Sequence, residues 1–288
     1  MTAKKIKTLH TVPILTAIAS ILFSNCKGTI DQVSSADSYR IIFLHQSTGN
    51  TIWEGNSKGI SLFNPEIDVP GWFADYNVKN GTNYFVEPRE FPKEKPYGWS
   101  NYPYDYYNIW VKNGGDQPFM EEPTLEILTK EYKVIIFKHC FPVGYIEEDK
   151  GAAVPDSKIK TLATYKVQYN LLKEKLLQFP ETKFILWTAA ALNRNNTTPV
   201  YAARTKQFVE WVKNEWDTKD DNIYLWDFYE LETEGGLYLS SHNARSEKDS
   251  HPGKQFAGKV VPLFCQRIVD VIETKGQKTA LTGVFIKF

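Results

Sequence analysis

Cysteine is nearly missing from this chain, with 3 in 288 residues, which excludes a small fold stapled by several disulfides. Net charge is missing too, since 34 Lys and Arg stand against 34 Asp and Glu. A nucleic-acid partner normally leaves a basic footprint, so none is expected. No apolar run reaches the ~20 residues of a comfortable membrane helix. No internal repeat is visible. His45, His139, His242 and Asp249 are a conceivable ligand set, but no His-x-x-x-His or paired-carboxylate spacing supports one, so neither metal nor cofactor is expected. What remains is ordinary globular material, 42% hydrophobic and 24% charged, long enough for one large α/β domain.

The N-terminus reads as a targeting segment. Lys4, Lys5 and Lys7 precede an apolar run over 12–23, followed by Ser24-Asn25-Cys26, the layout of a secretion signal. Cys26 resembles the lipidated cysteine of bacterial lipoproteins, although Phe23 and Asn25 stand where Leu and a small residue are usual. Residues 1–25 are therefore expected to be a signal peptide and 26–38 a polar tether. The implied location is the bacterial cell envelope, lipid-anchored or secreted, with the membrane as a partner through the anchor. Cys140 and Cys265 sit in apolar contexts and are expected to be buried free thiols rather than a disulfide.

From residue 39 onward strand and helix signals alternate. Residues 39–45, 133–139, 183–190 and 222–231 are short apolar runs rich in Ile, Val, Phe and Trp, suited to strands buried on both faces. Residues 158–179, 200–216 and 254–275 carry helical periodicity, with Pro180 ending the first and Pro262 a kink in the last. This alternation predicts parallel βαβ units, with ligands bound beyond the carboxyl ends of the strands.

Two segments carry chemistry. The run at 39–45 ends in His45-Gln46-Ser47-Thr48-Gly49, where a strand would present a serine hydroxyl, and Asp249-Ser250-His251-Pro252 precedes the last helix. Serine is a weak nucleophile until a neutral imidazole takes its proton, and a carboxylate fixes the imidazole's tautomer. Ser47, His251 and Asp249 are the candidates for those roles. Asp227, closing the run 222–227, is a competing acid, read instead as a polar strand terminus.

These motifs resemble the SGNH (GDSL-type) hydrolase superfamily over roughly residues 39–273, in a divergent bacterial lipoprotein branch. The resemblance implies a three-layer α/β/α sandwich with a parallel, flavodoxin-like sheet. It also implies Ser47 as nucleophile and backbone oxyanion donor, and Asp249 and His251 as acid and base, with one residue between them where the family usually has two. The family's glycine block is met loosely by Gly114 or Gly115. Its Gly-x-Asn block is replaced by Lys138-His139-Cys140-Phe141-Pro142, which leaves Gly115, the Ser47 amide and His139 as expected oxyanion donors. Losing such a donor costs about 3 kcal/mol in known cases.

An aromatic-rich insertion over about 70–119 includes Trp72, Trp99, Tyr107 and Trp110. Such a segment either packs on the core as a cover or forms a platform for sugar faces. On the second reading those four residues bind substrate. The resulting expectation is an esterase acting on an acyl or acetyl group of a glycan. A non-catalytic glycan-binding or surface lipoprotein of the same fold is the alternative, and acyl transfer to a sugar uses the same residues.

Overall fold

A computed structural model describes residues 38–57, 67–98 and 100–287, all within one compact unit. The expected signal peptide, the expected lipidation site Cys26 and Trp99 lie outside the described residues.

The first strand, β1 (Tyr39–His45), runs directly into α1 (Ser47–Glu54), and the insertion follows with α2 (Val69–Asn80), β2 (Tyr84–Glu90) and α3 (Pro103–Tyr106). A π-helical segment, Tyr107–Lys112, extends α3. Then come α4 (Leu125–Glu131), β3 (Val134–Phe137), α5 (Leu162–Leu176), β4 (Lys183–Trp187), α6 (Pro199–Trp211), β5 (Ile223–Trp226) and α7 (Phe228–Thr233). A hairpin, β6 (Ala244–Ser246) and β7 (Asp249–Pro252), leads into α8 (Lys254–Thr274).

Five strands form one parallel sheet in the order β2-β1-β3-β4-β5. That is the flavodoxin-like doubly wound order, with its switch point between β1 and β3. Strand alternation sorts the core. Ile41, Phe43, Val134, Ile136, Ile185 and Trp187 pack under α8, while Ile42, Leu44, Ile135, Phe137, Phe184 and Leu186 pack under α5 and the aromatic insertion. The chain is thus the three-layer α/β/α sandwich the alternation predicts.

Several expectations need correction. The run 222–231 is strand only to Trp226, because Asp227 caps α7 by accepting from the Glu230 amide at 3.2 Å. Burial of Phe228 and Tyr229 in that helix explains why the run reads as one strand. The insertion supplies β2, an edge strand whose Pro88 costs no ladder bond with a further strand. Its aromatic side chains mostly enter the core. Trp110 is fully buried, edge-on to Tyr106 and Phe137, and donates its indole N–H to Pro123 O at 3.1 Å. Tyr107 is buried as well. Burying such a ring is worth about 1.5–3 kcal/mol, so Trp110 and Tyr107 form a cover and not a substrate platform. Cys140 and Cys265 are both buried free thiols. Helix α8 runs on through Pro262.

Candidate active site

Ser47 is the first residue of α1, exposed, at the carboxyl end of β1. The amides of a helix's first turn have no intrahelical partner and point outward, which leaves the Ser47 N–H placed as an anion donor. The turn from strand to helix is tight because Gly49 lies against His45. A Cβ there would sit 2.8 Å from His45 Cγ and closer still to its Cβ.

The hairpin supplies the imidazole. Asp249 and His251 are two apart on β7, so their side chains share one face, while Ser250 points to the other and accepts from the Asn193 amide at 3.0 Å. Strand parity therefore does with one intervening residue what a loop would do with two. His251 Nδ1 lies 2.5 Å from Asp249 Oδ1, and its backbone N–H donates to the same oxygen at 2.9 Å. Arg245 pairs with Asp249 Oδ2 at 3.2 Å and donates to Thr51 Oγ1 on α1 at 3.3 Å. Partial burial would raise the Asp249 carboxyl, but the two N–H groups of His251 and the Arg245 guanidinium hold it below its usual range.

Ser47 and His251 each contact the loop after β3. Ser47 Oγ lies 3.2 Å from Cys140 Sγ, and the next residue, Phe141, sets its ring edge against the His251 imidazole at 5.0 Å between centroids. No hydrogen bond joins Ser47 to His251 among the described residues. The hydroxyl rests on the Cys140 thiol.

The other expected donors are elsewhere. Gly115 donates its N–H to Glu126 Oε2 at 3.0 Å, and Glu126 is itself paired with Lys175 near the end of α5. That amide is committed to a carboxylate. His139 is buried, shares a 2.5 Å hydrogen bond with Tyr169 and packs on Tyr106. Burial, with the Lys138 charge adding to it, lowers its pKa to about 3, so the ring is a neutral core group on the α5 side. The Cys140 amide is also taken, by Asn101 O at 2.8 Å. Of the expected oxyanion donors only the Ser47 amide keeps its place. Trp72 lies on α2, stacked on Tyr76, against the far end of α8.

Sequence reasoning missed Arg245 and Lys138. Arg245 is four residues before Asp249, a spacing with no meaning unless the hairpin is known. Lys138 is 1% exposed, follows β3, and its Nζ has no partner among the described residues. Burial lowers its pKa. His45, also buried and with neither ring nitrogen bonded among the described residues, is pushed down to about 4 by burial and by the Lys138 charge. Among the described residues no three His, Cys, Asp or Glu side chains gather as a metal set, and no helix is long and apolar enough to cross a membrane.

A cavity of about 510 Å³ adjoins the hairpin, lined by groups that include Asn193, Arg194, Asn195, Ser240, Ser241 and Ser246. Its walls mix these amides and hydroxyls with Leu237, Tyr238 and Leu239. No family model, no curated protein and no solved structure matches this chain.

Proposed function

We propose that the chain is a serine esterase that hydrolyses a short acyl or acetyl ester, with a glycan as the alcohol part. The observation that carries this reading is the Asp249–His251 pair, held at 2.5 Å on a strand packed against the helix that begins with Ser47. Ser47 turns from Cys140 Sγ to His251 Nε2, gives up its proton and attacks the ester carbonyl. The oxyanion takes the Ser47 N–H. His251 then protonates the leaving alcohol, and a water activated by the same imidazole frees the acid. Asp249 stays ionised and fixes the tautomer, with Arg245 holding Asp249. The amide and hydroxyl groups of the cavity beside the hairpin support a hydroxyl-rich substrate. A sugar hydroxyl replacing the water makes the same residues an acyltransferase. The charged start, apolar run and Cys26 support a lipid-anchored envelope location.

One observation favours a second reading, a non-catalytic glycan-binding lipoprotein. Gly115, His139 and the Cys140 amide all have other partners, so the oxyanion hole rests on one amide. A fluorophosphonate probe separates the two readings, because phosphonylation needs only the nucleophile and its base. Labelling is expected at Ser47 and absent in Ser47→Ala and His251→Ala. A folded protein that neither labels at Ser47 nor hydrolyses p-nitrophenyl acetate refutes the esterase reading.

A further inference from the structure

At the opposite end of the molecule an aromatic recess stands open. Trp72 and Tyr76, one turn apart on α2, stack at 5.1 Å with their planes 13° apart. Tyr76 and Tyr84 both donate their phenol O–H to Glu273 Oε1, at 2.9 and 3.1 Å. The carboxylate is thereby fixed in orientation, with Oε2 left as an acceptor. Gln266, Lys79 and Lys278 stand around it, and Phe285, 57% exposed, forms the far wall of a cavity of about 340 Å³.

This place is far from Ser47. Tyr84 and its ring partner Tyr39 begin β2 and β1, at the amino edge of the sheet. Glu273 lies at the end of α8, whose first residue follows the His251 hairpin. A helix of that length spans about 30 Å.

Fold stability does not account for the recess. An aromatic stack meant for the core would be covered, as Trp110 is, and an exposed apolar recess rimmed by polar ends marks a binding site. The chemistry selects among ligands. A flat ring wall takes the C–H face of a pyranose, and a carboxylate pinned by two phenols takes a pair of its hydroxyls, with amide and ammonium groups at the rim for the rest. An acyl chain would find a carboxylate facing it. A bilayer surface would need a protruding apolar edge, where this one is concave.

We propose that this recess is a carbohydrate-binding site separate from Ser47, holding a sugar ring against Trp72 with its hydroxyls bonded to Glu273. It goes beyond the esterase reading and stands without it. On an enzyme such a site would keep the protein on a polymer while the opposite edge works.

The test uses the full chain and three named probes, chitotetraose, cellotetraose and xylotetraose, followed by calorimetry and by intrinsic tryptophan fluorescence. At least one should bind, and Trp72→Ala should weaken it by about tenfold or more, the loss of one aromatic contact. Glu273→Gln should weaken it as well, and Trp72→Phe should restore part of the affinity. Ser47 labelling should be unchanged in all three variants, so failure here and failure of the esterase reading are separate results. No binding to any of the three sugars, or binding that survives both Trp72→Ala and Glu273→Gln, overturns the proposal. So does Trp72-dependent binding to vesicles of phosphatidylglycerol without sugar binding, which would make the face a membrane surface.

Discussion

Gly49→Ala is the substitution that best tests how the serine is presented. Two effects of known size oppose each other. Alanine in place of glycine inside a helix is worth about 1 kcal/mol in favour of the variant, while forcing a methyl into a packed contact costs about 1–3 kcal/mol. The contact decides which prevails. The added carbon would lie 2.8 Å from His45 Cγ and 3.1 Å from Nδ1, with His45 Cβ nearer still. Turning the imidazole about χ1 does not move its Cβ. His45 is also 6% exposed and lies 4.6 Å from the Phe43 ring, so relief must come from α1 lifting off β1. A net loss of about 1–2 kcal/mol follows, or roughly 2–8 °C in Tm for a domain of this size. The consequence for the site is larger, since a misplacement of about 1 Å can cost about a hundredfold in rate. The paired measurements are thermal unfolding and the second-order rate of fluorophosphonate labelling at Ser47. Gly258→Ala serves as control, because its new methyl meets the Asn56 side chain at 3.1 Å, not a Cβ held by a strand. A Gly49→Ala protein with a raised Tm and unchanged labelling would refute the packing argument.

Two further predictions concern the buried nitrogens. His45 and His139 are neutral in the folded protein, at about 4 and about 3 by burial and the Lys138 charge, whereas an unfolded histidine takes its proton near about 6.5. Their depressed values contribute stability that is present above about pH 6.5 and lost as pH falls toward 4 and then 3, several kcal/mol in all at ~1.4 kcal/mol per unit. The urea midpoint should therefore drop steeply between pH 7 and pH 4.5, and His139→Gln should flatten the slope; an unchanged slope would show that His139 is protonated in the fold. Lys138→Met should raise the unfolding free energy at pH 7 by ~1–3 kcal/mol, since it removes a buried amine with no hydrogen-bond partner among the described residues. That gain should shrink as pH rises toward the ordinary lysine range of about 10.4, because burial lowers the Lys138 pKa in the fold and the cost of its charge fades as the proton leaves. A destabilised Lys138→Met would mean that Nζ has a partner in solution.

What the sequence made legible follows from burial. β1, β3 and β4 are buried on both faces, so they appear as unbroken apolar runs. β2 does not, because an edge strand carrying Glu87, Pro88, Arg89 and Glu90 has the composition of a loop. Ser47 was legible because an apolar run ends there at a helix start. The hairpin was not, since Arg245 to Pro252 is too polar to show strand periodicity, and so the shared face of Asp249 and His251 had no signal. His139 is a different case, because strand parity was available. It alternates with Lys138 and belongs to the face of Ile135 and Phe137, turned from His45, which shares a face with Ile41 and Phe43. Gly115 had only its residue type to recommend it, and its amide is drawn to Glu126 by contacts that are 11 residues apart in the chain.

The same parity exposes where the fold departs from what stability alone would choose. Continuing the pairings Leu44↔Phe137 and Phe137↔Leu186 by one residue sets His45, Lys138 and Trp187 in one row on the α8 face. All three are buried, and neither ring nitrogen of His45, nor Lys138 Nζ, nor Trp187 Nε1 has a partner among the described residues. One layer further into the sheet the row is Phe43, Ile136 and Ile185, wholly apolar. Each unpaired buried polar group costs about 1–3 kcal/mol, and a core under selection for stability alone has no reason to gather them. They gather at the carboxyl ends of β1, β3 and β4, beside the switch point where a doubly wound sheet binds its ligands. His45 lies directly beneath Gly49, two residues from the Ser47 hydroxyl. Local rules of packing tend to be broken where a site requires it, and here the broken row and the serine occupy the same edge.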